Sequence, residues 1–557
     1  MRLVSGRAAL ASVSRASPRL SLSTKASSEI EWDKLDTDNI ALPDIFSVFY
    51  DHSAELKRQR RGESTGYHRR EVDKKLFLLI NRLETLINES SAATSTTNAS
   101  TTNNIEFRPY NIVSVMHVTK FDICKKNADL FTKVVDMLVL MGNQCRTEFT
   151  MKHISSIFLL MKGMKSENKQ VRQLLSAITR HVHMSTHVFD ARAIWCALYG
   201  LQDMEVKYAE VRTCLNLILE KIKQCREPLD AQAIGLALFG MVSRSSNEEI
   251  VRDVFRALLP KIKACTQPMS PQNWSNALYG LALCDTEHKV VRELLCELYA
   301  KSATITGTLS VQELTGAFYG LKLMSSDVQE VGNILKLLMD MLSQSAEPFD
   351  ALAVGNMAYS LMNKDSKMQL VKELLVIIAE KNETCTQQLQ PRHIAQALNG
   401  LQHMTSDHEE VLLYIRSFNK LSKSRNLLTG KQVENILIGL RYMDPTLPDV
   451  LSLFESMCEL VNKETMRDVQ HAMKITKNKK ILKTDTEYKN HFHRNLAFIA
   501  KKVLGPEAYK ASVTSSTKGH NSNSNSSRTS SNRNRRPTPK DGRGKFSAKT
   551  TDDVSRG

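Results

Sequence analysis

A short motif that recurs every 40 residues is the feature that most constrains how this chain can fold. The motif is Ala-Leu-Tyr-Gly-Leu where it ends at Leu201 and at Leu281, and close variants end at Met241 and Leu321. Its glycine position falls at 200, 240, 280, 320, 360, 400 and 439, with a serine at 360. A fixed period of this length is typical of stacked helical repeats, because one unit cannot bury its apolar face alone.

A second register indicates that each unit contains two helices. Valine recurs at 171, 211, 251, 291, 331, 371 and 411, and an apolar residue follows four positions later each time. A pair at i and i+4 marks one face of a helix. We therefore predict an all-α fold, an α-solenoid of about eight to nine helix-turn-helix repeats with a 40-residue period.

The unit starts support this interpretation. We call the helix that ends in the recurring motif helix A and the helix that carries the recurring valine helix B. Helix A should begin after a residue whose side chain can accept a hydrogen bond from the unpaired backbone amides of the helix N-terminus. Six of the seven residues at this position are Asp, Ser or Thr. These starts are Asp190, Asp230, Ser270, Ser310, Asp350, Gln390 and Thr429.

The N-terminal end differs in composition from the repeats. Residues 1–28 hold five basic and no acidic residues among Ser, Ala and Leu, which is typical of an organelle transit peptide. An ordinary N-terminal tail is the alternative. The composition favours the mitochondrion (matrix) over the plastid, and no apolar run approaches the length of a membrane-spanning helix.

The remaining chain consists of segments that differ in net charge and in sequence complexity. The net charge is +17, yet residues 29–464 carry about −2 of it, so the basic character lies at the two ends. A basic terminus suggests a polyanionic partner. The predicted segments after the transit peptide are a small helical segment (29–89), a low-complexity linker (90–104), the helical-repeat solenoid (105–464), a basic helical segment (465–511) and a disordered basic tail (512–557).

The flank of helix A that carries the motif glycine is predicted to meet the helix A of a neighbouring unit, because glycine lets two backbones approach closely. On the face opposite its core stripe, helix A is predicted to expose three registers that line a groove. The first two registers vary mostly among amides and cations, and the third is mostly aromatic. The candidate RNA-binding residues on this face are Arg192, Tyr199, Gln232, Phe239, Gln272, Asn276, Tyr279, Gln312, Tyr319, Asn356, Tyr359, Arg392, Gln396, Lys431 and Asn435.

Two interpretations of these residues stay open. Amides and arginines can bond base edges and aromatic rings can stack on bases, so the face could contact a single strand at one base per repeat. The amides could instead form a solvated face, and the aromatics could pack over the adjacent unit's glycine.

Other reactive residues do not point to catalysis or to a cofactor. Cys145, Cys225, Cys265 and Cys385 lie in register, which favours small buried thiols over a metal site. His181, His183 and His187 form a cluster in one unit only, without a thiolate partner. We find no P-loop, dinucleotide fingerprint or HExxH motif, so we expect neither metal nor cofactor.

The helix A pattern resembles the octotricopeptide and heptatricopeptide repeat proteins of organelles. It is also similar to helical-repeat subunits of the kinetoplastid mitochondrial RNA-editing substrate-binding complex. The resemblance covers about Thr150 to Val461 and implies an α-solenoid that binds organellar RNA during processing, stabilisation or ribosomal RNA maturation. Many relatives carry a C-terminal nuclease-like domain known as RAP, and residues 465–557 lack its strand pattern and carboxylates.

The chain is therefore expected to be a non-catalytic, RNA-binding repeat protein of the mitochondrion. Its expected partners are single-stranded organellar RNA and ribonucleoprotein or ribosome-assembly proteins. The alternative is a scaffold subunit of an organellar RNA–protein complex, in which the groove binds a peptide or an assembly partner. The near-neutral repeats favour that alternative, and the basic C-terminal end favours RNA.

Overall fold

The structure, a computed structural model, describes residues 30, 32, 35–60, 69–93, 107–476 and 491–510. Across these residues the regular secondary structure is helical, and consecutive helix pairs pack in a row. The predicted all-α solenoid is confirmed. The transit peptide predicted for 1–28, most of the linker predicted for 90–104 and the tail predicted for 512–557 lie outside the described residues.

Each repeat contributes one A helix and one B helix, after two leading helices, α1 (Leu42–Arg60) and α2 (Arg69–Ala93). The A helices are α3 (Pro109–Val118), α6 (Met151–Met161), α8 (Ala191–Gly200), α10 (Ala231–Phe239), α12 (Pro271–Tyr279), α14 (Val311–Gly320), α16 (Ala351–Tyr359), α18 (Pro391–Asn399) and α20 (Gly430–Gly439). A single-turn helix, α4 (Asp122–Lys126), lies in the first A–B turn. The B helices are α5 (Ala128–Gln144), α7 (Lys169–Met184), α9 (Ala209–Gln224), α11 (Glu249–Ala264), α13 (Lys289–Ser302), α15 (Gln329–Gln344), α17 (Gln369–Asn382), α19 (Glu409–Leu421) and α21 (Pro448–Glu459).

The predicted N-caps begin the A helices. Asp190, Asp230 and Asp350 each accept a hydrogen bond from the backbone N–H three residues later, at 2.6 Å. Ser270 and Thr429 do the same at 3.2 and 3.4 Å. These bonds satisfy amides that a helix N-terminus leaves without a partner.

The motif glycines bring successive A helices into backbone contact. A Cβ atom added at Gly200, Gly240, Gly280, Gly320, Gly400 or Gly439 would lie 1.9 to 2.4 Å from a backbone atom of the preceding repeat. Any side chain there would therefore force the two helices apart. The sequence prediction that this flank of helix A meets the neighbouring A helix is confirmed.

Lysine side chains form hydrogen bonds between successive B helices. Lys221 donates to the carbonyl oxygen of Ser185 at 3.2 Å, and Lys261 donates to that of Cys225 at 2.6 Å. Lys301 and Lys381 make the equivalent bonds to Cys265 and Ser345. Each acceptor follows the last turn of the preceding B helix, so the ammonium group satisfies a carbonyl at the negative end of the helix dipole.

Extra helices extend both ends of the row. Helix α1 packs on α3, and α22 (Lys463–Thr476) packs on α20. Helix α23 (Phe492–Leu504) follows, and its Asn495 amide donates to the Leu440 and Met443 carbonyl oxygens at 2.8 and 3.3 Å. Residues up to Val503 belong to one compact unit, and the described part of a second unit covers residues 504–510.

The glycine contact predicts that Gly280→Ala destabilises the protein, because the new Cβ would lie 2.0 Å from the Leu238 carbonyl oxygen. We expect a loss of about 2 kcal/mol in the free energy of unfolding, measured by urea titration. Gly316→Ala is the control, since its Cβ would meet only the Ser275 hydroxyl at 3.2 Å and the edge of the Tyr279 ring at 3.9 Å. The control should change stability by less than about 1 kcal/mol. Equal effects of both variants would contradict the assigned contact.

The lysine contacts predict that Lys261→Met lowers the free energy of unfolding by about 1 to 2 kcal/mol, because the Cys225 carbonyl loses a charged donor. Lys263→Met on the same helix is the matched control, since the Lys263 side chain is exposed. Chemical denaturation of both variants measures the difference. The proposed role of the B-helix lysines would be wrong if the two midpoints shifted equally.

Candidate binding surface on the A helices

The first predicted register is the most open part of the A-helix face. Arg192, Gln312, Arg392 and Lys431 are exposed, while Gln232, Gln272 and Leu352 are half-buried. All lie at the first or second position of their A helix, where no preceding turn covers them. A ligand approaching the A helices would meet this register first.

The second register is less accessible, because neighbouring side chains contact each other across repeats. Asn276, Gln396 and Asn435 are half-buried, and Asn356 is buried. The Gln396 side-chain amide donates to the Asn356 Oδ1 atom at 2.9 Å, which links two successive repeats. The amides of this register therefore combine contacts between repeats with partial access from solvent.

The aromatic register forms a continuous ladder of rings. Tyr199, Phe239, Tyr279 and Tyr319 are only 4 to 8 % exposed, and Tyr359 is half-buried. Successive ring centroids lie 5.7, 5.4, 5.2 and 5.7 Å apart. Burial raises the pKa of Tyr199 and of Tyr319 to about 12. The two central pairs are stacked, with interplanar angles of 18° and 17°, and the two outer pairs are tilted by 46° and 31°. The rings therefore pack between repeats, and their burial leaves little of each ring open to a ligand.

An open aromatic pair, which was not predicted from the sequence, lies at the start of the row. Tyr50 on α1 is 44 % exposed and Tyr110 on α3 is 37 % exposed, with ring centroids 6.0 Å apart. Tyr50 also lies 6.0 Å from the buried His117 ring. The signal was present, since residues 45–50 (Ile-Phe-Ser-Val-Phe-Tyr) match 112–117 (Ile-Val-Ser-Val-Met-His), but the 67-residue offset departs from the period.

Charge separates the two rows of helices. The nine A helices α3 to α20 hold six charged residues, whereas the nine B helices α5 to α21 hold thirty-six. The two carboxylates on those A helices are engaged locally: Glu313 accepts from Ser310 at 2.8 Å, and Glu434 pairs with Lys431 at 2.8 Å. The A-helix face is consequently amide-rich and almost free of unengaged negative charge.

Buried cations in the A–B turns were also missed. The Arg244 guanidinium donates to the Gly240 and Leu201 carbonyl oxygens, and the Lys364 ammonium donates to those of Leu321 and Met324 at 2.7 and 2.6 Å. Burial lowers the pKa of Arg244 to about 10 and that of Lys364 to about 7. Arg244 and Lys364 occupy one position of the 40-residue repeat, and the same position holds methionine at 164, 204, 324 and 404. A consensus built on the common methionine therefore does not reveal the two cations.

Two further lysines lie over the aromatic ladder. The Lys162 and Lys322 ammonium groups each lie 4.0 Å from a ring centroid, that of Tyr199 and of Tyr319 respectively. Lys162 also donates to the Tyr199 hydroxyl, and the Asp203 carboxylate acts against the burial that lowers the Lys162 pKa to about 8. Burial likewise lowers the pKa of Lys322 to about 8, and no carboxylate opposes it.

Of the predicted histidine cluster only His181 is buried, and His183 and His187 are exposed. His181 is buried, donates to the Gly142 carbonyl oxygen at 2.6 Å and stacks on Phe149 with centroids 4.3 Å apart. The in-register cysteines are buried free thiols, such as Cys225, whose sulfur lies 3.6 Å from the Glu227 carbonyl oxygen. Within the described residues, no group of three or more His, Cys, Asp or Glu side chains is arranged to bind a metal ion.

Comparison with protein-family models and with curated proteins finds no match to this chain. Among the helices of the described residues, none combines the length and apolar character that crossing a bilayer requires. The assignment of a function therefore rests on the surface of the A helices.

The buried Lys364 ammonium predicts a pH-dependent stability. Because its folded pKa lies near 7, well below the ordinary lysine value of 10.5, the unfolded chain binds more protons between these two pH values, and the stability of the protein rises with pH in that range. Lys364→Met lacks this group, so its stability relative to the unaltered protein should fall as pH rises from 7 to 9. The expected change is up to about 1.4 kcal/mol per pH unit.

Urea midpoints of both proteins at pH 7, 8 and 9 measure this difference. Lys336→Met is the matched control, since Lys336 is exposed on a B helix. A stability difference between Lys364→Met and the unaltered protein that stays constant with pH would mean that Lys364 does not titrate in this range.

Proposed function

We propose that this protein binds single-stranded RNA along the open face of its A helices and performs no catalytic step itself. The observation that carries the proposal is the composition of that face, a row of amides and cations in which each A-helix carboxylate already has a partner. Amide side chains bond the edges of unpaired bases, and a surface without free carboxylates does not repel a phosphate backbone.

The distribution of side chains suggests how a strand would lie. Gln232, Gln272 and Gln312 occupy the middle of the first register, where they can bond base edges. Arg192 precedes them, and Arg392 and Lys431 follow them, so phosphate contacts would lie toward the two ends. The basic residues of 465–557 would add phosphate contacts and raise the association rate.

The proposal places this activity in the mitochondrion, in the processing or stabilisation of RNA or the maturation of ribosomal RNA. Its support is the basic composition of residues 1–28 together with the resemblance of the repeats to organellar RNA-binding proteins.

A second candidate function is a scaffold that binds an extended peptide. The uncharged centre of the first register favours it, because glutamine side chains also bond the backbone of a peptide and need no phosphate. The two functions differ in their salt dependence, since RNA binding releases counterions and binding of a neutral peptide does not.

The proposed function predicts that replacing Gln232, Gln272 and Gln312 together by alanine weakens binding of a single-stranded RNA to the full chain by about tenfold or more. The melting temperature should change little, because Gln312 is exposed and Gln232 and Gln272 are only half-buried. Fluorescence anisotropy with a labelled oligonucleotide at fixed salt measures the affinity.

The matched control replaces Gln224, Gln329 and Gln344, which are exposed on B helices, by alanine. This control should bind as the unaltered protein does. If both triple variants bind RNA with unchanged affinity, the A-helix face is not the RNA-binding surface.

A further inference from the structure

The repeat formed by α14 and α15 contains a buried cation that the fold does not neutralise. Lys322 is 6 % exposed, and its ammonium lies 4.0 Å from the centroid of the Tyr319 ring and 5.3 Å from that of Tyr359. Within the described residues it makes no ion pair or hydrogen bond, unlike Lys162 in the same register. Contact with aromatic faces offsets part of the desolvation of an ammonium group but provides no negative charge.

The same repeat contains a second glycine whose surroundings are more open than those of the motif glycine. A Cβ at Gly316 would meet only the Ser275 hydroxyl at 3.2 Å and the Tyr279 ring at 3.9 Å, whereas the motif glycine of this helix, Gly320, would place its Cβ 2.1 Å from the Leu278 carbonyl oxygen. Both neighbouring repeats have asparagine in the Gly316 register, Asn276 and Asn356. Gly316 therefore leaves a gap in the row of second-register side chains, at a cost in helix propensity.

The gap and the cation are connected by the most closely spaced rings of the ladder. Gly316, Tyr319 and Lys322 follow one another at intervals of three residues, which keeps them near one side of α14 and its following turn. The Tyr279 ring borders the gap, lies 5.2 Å from the Tyr319 ring, and the Tyr319 ring lies under Lys322. A space, ring edges and an uncompensated positive charge thus occur together in one repeat.

A ligand that fits this combination carries a planar ring and an anion. The ring would enter the gap at Gly316, in the register that Asn276 and Asn356 occupy in the neighbouring repeats, where amide side chains offer both donors and acceptors. The anion would neutralise the Lys322 ammonium group. In the protein alone, burial of this group lowers stability and no negatively charged partner offsets the effect. Features that cost stability without serving packing are expected at functional sites.

We propose that this repeat binds one nucleotide of a single-stranded RNA, with the base in the gap at Gly316 and a phosphate oxygen paired with the Lys322 ammonium group. The proposal rests on the proposed function and makes this repeat its principal anchoring point. An acidic peptide would also pair with Lys322, but it would have no planar group for the gap.

The experiment measures binding of a labelled single-stranded RNA to the full chain across a salt series. Lys322→Met introduces the residue found at the equivalent position of the next repeat, Met362. This variant should weaken RNA binding about tenfold and reduce the slope of log affinity against log salt concentration by about 0.7. Lys322→Arg keeps the charge and should keep the slope. Gly316→Asn takes the residue of both neighbouring repeats and should weaken binding about tenfold without changing the slope.

Folding is controlled in the same series. Lys322→Met removes a buried charge and should raise the melting temperature, so a loss of RNA binding by this variant cannot come from unfolding. Gly332→Asn is the control for the added side chain, because Gly332 lies on α15 and a Cβ there would lie 3.8 Å from the nearest atom, the Ser326 carbonyl oxygen. It should bind within about twofold of the unaltered chain.

The outcomes separate this inference from the proposed function. If the unaltered chain binds RNA but Lys322→Met and Gly316→Asn bind it with the same affinity and salt slope, the nucleotide site is absent and the A-helix proposal stands. If the unaltered chain binds no single-stranded RNA, the proposed function itself is wrong. If Lys322→Met loses binding of a polyglutamate peptide while RNA binding is unchanged, the anion is a carboxylate and the nucleotide assignment is overturned.

Discussion

The backbone contact between successive A helices determines most of what this surface can present. With glycine at the end of the motif, the backbones approach until no Cβ atom would fit between them. At that separation the aromatic rings of neighbouring repeats must touch, and the amides of the second register come within hydrogen-bonding distance of each other. The same contact that stabilises the row therefore reduces the number of side chains that can reach a ligand.

The period, the N-caps and the role of the motif glycines could be predicted from sequence, because each follows from a residue repeated at one register. The burial of Tyr279 and Tyr319 could not, since a helical wheel gives direction but not the distance to the neighbouring helix. Arg244, Lys322 and Lys364 were missed for a different reason. Each differs in residue type from most residues at the equivalent position of other repeats, and a consensus pattern does not retain such differences.

The separation of charge between the two rows has a functional meaning that net charge conceals. The repeats are close to neutral in total, yet most of their charges lie on B helices, where opposite signs pair on a solvated surface. The A helices carry few charges, so single cations there act with little competition from neighbouring carboxylates. Specific placement of a few cations, rather than a broad basic surface, would then direct a polyanion to this face.

The lysine contacts between B helices give the stack a direction. In each case the donor belongs to the later repeat and the acceptor carbonyl to the earlier one, from Lys221 onto Ser185 to Lys381 onto Ser345. Asn495 continues this order by donating to Leu440 after the last A–B turn. A repeat is thus completed by the chain that follows it. During synthesis, which proceeds from the N-terminus, each new repeat that carries this lysine would complete the hydrogen bonding of the repeat before it.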